Sequence, residues 1–115
     1  MKYKLDFVNK GQEFELPNIN EVGVYRKLLE IEANVESKYK NLDKESKTTK
    51  TLIGTEANIE TAYYVLNKID KNVTKENIEK KDGTVLAKFI LALYGIKEKN
   101  FQKATKEVAK QQNKN

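Results

Sequence analysis

The fold is decided by residues 20–45, which read NEVGVYRKLLEIEANVESKYKNLDKE. Apolar side chains recur at spacings of three and four throughout this stretch, as they do on one face of an amphipathic helix. The stripe consists of Val24, Leu28, Ile31, Val35, Tyr39 and Leu42. Asn18 or Asn20 can cap the start of this helix. The pattern therefore predicts a helix over residues 20–45, which we expect to be the longest element of the chain.

Upstream of this helix, the sequence alternates between apolar and polar residues, which is the pattern of a half-buried β-strand. The apolar positions are Tyr3, Leu5 and Phe7 in one run, and Phe14 and Leu16 in the next. Residues 9–12 can form the turn, and Gly11 can take a positive φ there. Pairing Phe7 with Phe14, and Leu5 with Leu16, puts all five on one face. Because an isolated hairpin is marginally stable in water, we expect this N-terminal β-hairpin to pack on the long helix.

The second half of the chain predicts shorter helices. We expect a loop over residues 43–54, an N-cap at Thr55 and a helix that follows it. A short helix then runs from Lys75 to Lys81 with Ile78 as its apolar anchor, and an almost wholly apolar helix covers residues 84–94 before Gly95. The predicted fold class is mainly α (α+β), with the N-terminal hairpin packed on the long helix and three to four shorter helices after it. Residues 1–96 form a single helical domain in this prediction, and residues 97–115 form a basic helix or tail that is partly disordered.

The composition argues against most kinds of catalytic site. The chain of 115 residues has no histidine and no cysteine, which are the usual general base near neutral pH and the strongest side-chain nucleophile. The glycines do not form a phosphate-binding pattern. The carboxylate pairs Glu13 with Glu15, and Glu56 with Glu60, lie among lysines and are typical of a solvated surface. We therefore expect no enzymatic activity, no cofactor and no metal site; an enzyme that depends on carboxylates alone is a remote alternative.

The net charge of +5 is concentrated near the C-terminus, where residues 97–115 contain six lysines and two glutamates, a net charge of +4. Lysines in such a segment can contact phosphates without sequence specificity. The residues available for this are Lys97, Lys99, Lys103, Lys106 and Lys110. Arg26 is the only arginine in the chain, and bidentate phosphate and base-edge contacts favour arginine. A small basic nucleic-acid-binding or regulatory protein is thus the alternative function, and nucleic acid is not the partner that we favour.

The chain contains more apolar helical surface than one small core is expected to bury. Tyr63 and Tyr64 are adjacent, so they point about 100° apart on a helix and are both buried only if two surfaces cover them. The almost wholly apolar helix over residues 84–94 must also be buried against other apolar surfaces on most of its sides. The candidate partner-binding residues are Tyr63, Tyr64, Phe89, Ile90, Leu93 and Tyr94. We expect them to support self-association or the binding of an apolar helix from another protein.

The first residues and the hydropathy pattern indicate a soluble protein. Residues 1–7 lack the apolar region of a signal peptide. The longest apolar stretch, residues 85–96, is interrupted by Lys88 and is shorter than the ~20 residues that span a bilayer. We therefore expect a cytoplasmic protein.

Three segments of the chain, taken in order, form a recognisable combination. The first is the pair YKLDF, residues 3–7, and EFELP, residues 13–17. The second is VGVYRKLLEIE, residues 22–32, and the third is a helical second half with TKENI at residues 74–78 and an apolar helix near FIL, residues 89–91. In these segments the chain resembles the tail assembly chaperones of long-tailed phages and prophages of Gram-positive bacteria, and the resemblance covers about residues 1–95.

This resemblance implies a specific role. Proteins of this family bind the long helical tape measure protein during virion assembly, and keep it soluble until tail tube subunits polymerise around it. They act in the cytoplasm of the bacterial host and are absent from the mature virion. The family often makes a second, longer product by ribosomal frameshifting, and this chain would be the short product. The implied partners are the tape measure protein, the tail tube protein and a longer form of the chain itself.

Overall fold

The structure is a computed structural model that describes the backbone of residues 2–4 and 13–95 and the side chains of residues 15–95. Two short strands come first in these residues, β1 (Lys2–Lys4) and β2 (Glu13–Glu15). Four helices follow, which are α1 (Val22–Lys38), α2 (Lys47–Ile69), α3 (Lys75–Glu79) and α4 (Gly83–Leu93). The mainly α class of the prediction agrees with this architecture.

The predicted N-terminal hairpin packed on a long helix is wrong. The apolar core that residues 15–95 form is built from the helices and from residues of the loops that join them. β1 and β2 pair over three residues each, and Tyr3 lies opposite Phe14 in place of the predicted Phe7. The predicted turn at residues 9–12 lies outside the described residues. The buried face of α1 is covered by α2, because α2 offers apolar side chains over several helical turns.

Helix α1 has the predicted buried stripe but is shorter than predicted. Val24, Leu28, Ile31 and Val35 are all buried, as their spacing requires. The helix ends at Lys38, and residues 39–42 turn away from its axis. Leu42 is consequently 44% exposed and does not extend the stripe. The prediction of one helix over residues 20–45 is therefore wrong at its C-terminal end.

Helix α2, and not α1, is the longest element of the described chain. It starts at Lys47, where the hydroxyl of the N-cap residue Ser46 accepts a hydrogen bond from the Thr49 backbone N–H at 3.4 Å. The predicted loop is right for residues 43–46 and wrong for residues 47–54, which are helical, and the predicted N-cap at Thr55 is wrong. Ile53 lies in this first part of α2 and packs against the stripe of α1. That apolar contact stabilises the first turns of α2, which are polar and rich in threonine.

Helix α2 lies at the centre of the fold and contacts α1, α3 and α4. Two apolar clusters form around it. The first joins the buried stripe of α1 to Ile53, Ala57 and Tyr64 of α2. The second joins α2 to the loop before α3 and to α3 and α4, through Ala62, Val65, Leu66, Val73, Ile78, Phe89 and Leu93. Ile19 and Tyr64 pack on both clusters, so the two are continuous.

The ends of α3 and α4 follow from local sequence signals. Thr74 caps α3 in a capping box with Asn77, and Ile78, 1% exposed, anchors this five-residue helix in the core. The Asp82 carboxylate caps α4 by accepting a hydrogen bond from the Thr84 backbone N–H at 2.8 Å. Gly95 follows α4 with φ +74°, the left-handed conformation that glycine adopts most easily. The predicted short helix with Ile78 as its anchor, and the glycine that ends the last apolar helix, are both confirmed.

The helices in the described part of the chain are too short or too polar to cross a membrane. The basic segment of residues 97–115 lies outside the described residues, so its predicted helix or tail stays a prediction. The predicted boundary between the helical domain and this tail, at residue 96, also lies outside the described residues and stays a prediction.

Candidate functional site

A groove with a volume of about 550 Å³ lies between α1 and α2 in the described chain. Helix α1 contributes side chains from Lys27 to Lys38, α2 contributes side chains from Glu56 to Lys68, and Lys71 comes from the loop after α2. At 1.5 Å per residue, the α1 wall alone extends over about 17 Å. Ile31 and Val35 form an apolar floor, and the half-buried Tyr63 and Tyr64 form part of one wall. We call this concavity the α1–α2 groove.

The two carboxylates of the groove are held by lysines. Lys38 Nζ lies 2.9 Å from Glu56 Oε1 across the groove, and Lys75 Nζ of α3 lies 2.7 Å from Glu60 Oε1. The hydrogen bond from Lys38 to Glu56, together with the charge of Glu56, raises the pKa of the Lys38 ammonium above its ordinary value. These ion pairs neutralise the end of the groove that lies near Glu56.

The other end of the groove is cationic and is organised around Tyr64. Lys68 donates a hydrogen bond to the Tyr64 hydroxyl at 2.9 Å, and its Nζ lies 4.3 Å from the centre of the ring. Lys27 Nζ lies 5.9 Å from the same ring, which is near the limit of a cation–π contact. Lys71 also lines this end. Within the described residues, Lys68 and Lys71 make no ion pair, so this end carries an excess of positive charge.

A second feature lies on the opposite side of α1, where three apolar residues are exposed. Val22 is 78% exposed, Tyr25 is 56% exposed and Leu29 is 46% exposed. Their spacings of three and four place them on one helical face, roughly opposite Lys27 and Lys38. We call this face the α1 outer stripe. Unlike the buried stripe of α1, it is not covered by another described element.

Tyr94 lies within electrostatic reach of this outer side of α1. It caps the C-terminal end of α4 and is 41% exposed. Partial burial, and then the negative charge of Glu32, raise the pKa of the Tyr94 hydroxyl above its ordinary value. Glu32 follows Leu29 by three residues and shares its face of α1.

The structure separates the six predicted partner-binding residues into three places. Phe89 is fully buried and Leu93 is 5% exposed, and both belong to the core. Ile90 is half-buried against that core, and Tyr94 lies at the end of α4. Tyr63 and Tyr64 line the α1–α2 groove. Phe89 and Leu93, predicted to bind a partner, are instead buried in a cluster with residues of α2, α3 and the loop between them. Partner binding by the other four residues stays a prediction.

Other predicted positions are placed as follows. The predicted nucleic-acid contacts Lys97, Lys99, Lys103, Lys106 and Lys110 lie outside the described residues. Glu56 and Glu60, which we interpret from sequence as solvated surface, are partly exposed and each is paired with a lysine. Across the described residues, acidic side chains do not gather into a group of three or more that could hold a metal ion.

The sequence did not identify the groove lysines or the α1 outer stripe as candidate sites. Val22, Tyr25 and Leu29 do carry a signal, since they repeat at helical spacing beside the buried stripe. The sequence carries no such signal for Lys27, Lys68 and Lys71, because they are three of many lysines. Only the packing of α1 on α2 brings them together.

Comparison of this chain with protein-family models, with curated proteins and with solved structures finds no match. The candidate site is therefore described by its own geometry, which consists of a lysine-rich groove on one side of α1 and an exposed apolar stripe on the other.

Proposed function

We propose that this chain is a protein-binding module without catalytic activity that holds an elongated amphipathic helix of another protein. The α1 outer stripe carries the proposal, because three apolar side chains at helical spacing stay exposed in the folded chain. An amphipathic client helix can lay its own apolar face along such a stripe. Each Å² of apolar surface that this contact removes from water contributes roughly 25 cal/mol before the costs of association.

We further propose that the client is the tape measure protein of a phage tail, and that the chain acts as its assembly chaperone. The support is the resemblance of residues 22–32 to this family, since that segment contains all three residues of the α1 outer stripe. A long helical client exposes apolar faces that aggregate in water unless they are covered. A small chain with an apolar binding face and a charged surface, bound in many copies, keeps such a client soluble in the host cytoplasm.

Coexpression with a segment of a tape measure protein tests this function. We expect the segment to be soluble and to co-purify with the wild-type chain. With the double variant Y25S/L29S, we expect the segment not to co-purify. The matched control is L42S/L52S, because Leu42 and Leu52 are 44% and 42% exposed but lie away from the α1 outer stripe. Equal recovery of the client with both double variants, or no recovery with the wild-type chain, contradicts the proposal.

The nucleic-acid alternative makes a different prediction. Binding through the C-terminal lysines would weaken steeply with salt and would be lost on deletion of residues 97–115. Binding of a helical client through an apolar stripe persists at moderate salt and survives this deletion. A salt series on the wild-type chain and on the deletion variant distinguishes the two functions.

A further inference from the structure

We propose that the α1–α2 groove is a second binding site, separate from the α1 outer stripe, and that it takes an acidic peptide segment with apolar side chains. The inference does not depend on the proposed function, because the two surfaces lie on opposite sides of α1 and differ in chemistry. The volume of about 550 Å³ lies within the roughly 300–1,000 Å³ that is typical of ligand sites.

The shape of the groove fits a short length of polypeptide. Its α1 wall extends over about 17 Å, which corresponds to about three helical turns. The floor formed by Ile31 and Val35 is apolar, and the Tyr63 and Tyr64 rings add half-buried aromatic surface. Because Ile31 and Val35 are only 6% and 4% exposed, the apolar side chains of a three-turn segment would contact chiefly the Tyr63 and Tyr64 rings, with the backbone of the segment outside the groove.

The charges in the groove specify that the segment is acidic at one end. At the end near Glu56, the ion pair with Lys38 at 2.9 Å leaves little net charge. At the end near Tyr64, Lys68 and Lys71 have no carboxylate partner within the described residues. Lys68 is also fixed in place, since it donates to the Tyr64 hydroxyl at 2.9 Å. A carboxylate that enters this end meets Lys71 and the already oriented Lys68, so it gains a charge-assisted contact with little further ordering of Lys68.

The same charges disfavour a nucleic acid as the occupant. The Glu56 and Glu60 carboxylates face the groove along its wall, and they would lie beside a phosphate backbone running the length of the site. The cations are all lysines, which do not form the bidentate phosphate contacts of arginine. A peptide with an acidic end and an apolar middle matches both ends of the groove.

The test is an NMR titration of the full chain with synthetic helical peptides of about 12 residues, about the length of the groove at 1.5 Å per residue. One peptide has an apolar stripe and three glutamates at one end, and its counterpart has three lysines there. We expect the acidic peptide to shift the backbone signals of Tyr63, Tyr64 and Lys68, and the basic peptide to leave them unchanged. Charge reversal in K68E/K71E should weaken the acidic peptide about tenfold or more, since it replaces attraction by repulsion.

The control variant K44E/K81E makes the same change in net charge at exposed lysines outside the groove, and it should retain wild-type affinity. The inference is overturned if the acidic peptide shifts only the signals of Val22, Tyr25 and Leu29, or if K44E/K81E weakens binding as much as K68E/K71E does. The inference is also overturned if single-stranded DNA displaces the peptide from the same residues. It is overturned as well if the groove signals shift with protein concentration alone, because that result would assign the groove to a second copy of the chain. If K68E/K71E does not fold, the comparison of the two peptides on the wild-type chain decides the question.

Discussion

At the residue scale, the Asp82 carboxylate makes the stability of the N-terminal end of α4 depend on pH. Its hydrogen bond from the Thr84 backbone N–H at 2.8 Å lowers the pKa of the Asp82 carboxyl below its ordinary value of 3.8. A carboxylate whose pKa is lower in the folded state stabilises the fold above the unfolded pKa, and this contribution is lost as pH falls through the folded pKa. The loss at Asp82 therefore occurs below about pH 3.8 and not near neutrality.

The variant D82N should reduce this acid sensitivity. Asparagine caps helices about as well as aspartate but does not titrate, so the variant keeps the cap and removes the dependence on pH. We expect the urea midpoint of the wild type to fall more between pH 5 and pH 2.5 than the midpoint of D82N. The control E79Q removes an exposed carboxylate that does not cap a helix. If E79Q flattens the pH profile as strongly as D82N, capping is not the cause.

At the scale of the element, two glycines should respond to alanine with opposite signs. Gly54 lies inside α2, and a Cβ built there meets no atom within 4 Å. Because alanine restricts the unfolded chain and favours the helix, G54A should stabilise the protein by about 0.5–1 kcal/mol. Gly95 has φ +74°, where a Cβ is strained, so G95A should destabilise the protein by about 1–2 kcal/mol. Urea unfolding measures both; equal effects of the same sign would contradict this assignment.

The sequence predicts some elements of this fold better than others, for a physical reason. The starts and ends of α3 and α4 depend on local signals, such as the capping box of Thr74 with Asn77 and the positive φ of Gly95. The start of α2 depends on tertiary contacts, since the run of residues 47–51 has no apolar stripe and Ile53 is held by α1. A local reading of the sequence therefore finds a loop there. In the strands, alternation determines which residues share a face but not which residues pair.

The same distinction applies to the candidate site. The sequence predicts that the adjacent Tyr63 and Tyr64 are both buried only if two surfaces cover them; both are half-buried and line the same groove, and Tyr64 packs on both clusters. Because α4 is apolar on most sides, the sequence suggests exposed apolar surface at Phe89 and Leu93, but both are buried in the cluster that α4 shares with α2, α3 and Val73. The groove depends on side chains of two helices that are 18 or more residues apart in sequence, and periodicity in one helix carries no information about the next.

At the scale of the whole molecule, the two apolar clusters should unfold as one cooperative unit, because α2 contributes to both and Tyr64 contacts both. Ile31 is 6% exposed in the first cluster and Ile78 is 1% exposed in the second. I31V and I78V should each cost about 0.5–1.5 kcal/mol, and the double variant should lose about the sum, since the two residues belong to different clusters. Far-UV circular dichroism and tyrosine fluorescence should report one coincident urea transition in every variant. A transition that splits, with I78V moving only one part, would show that α1 unfolds independently of the rest.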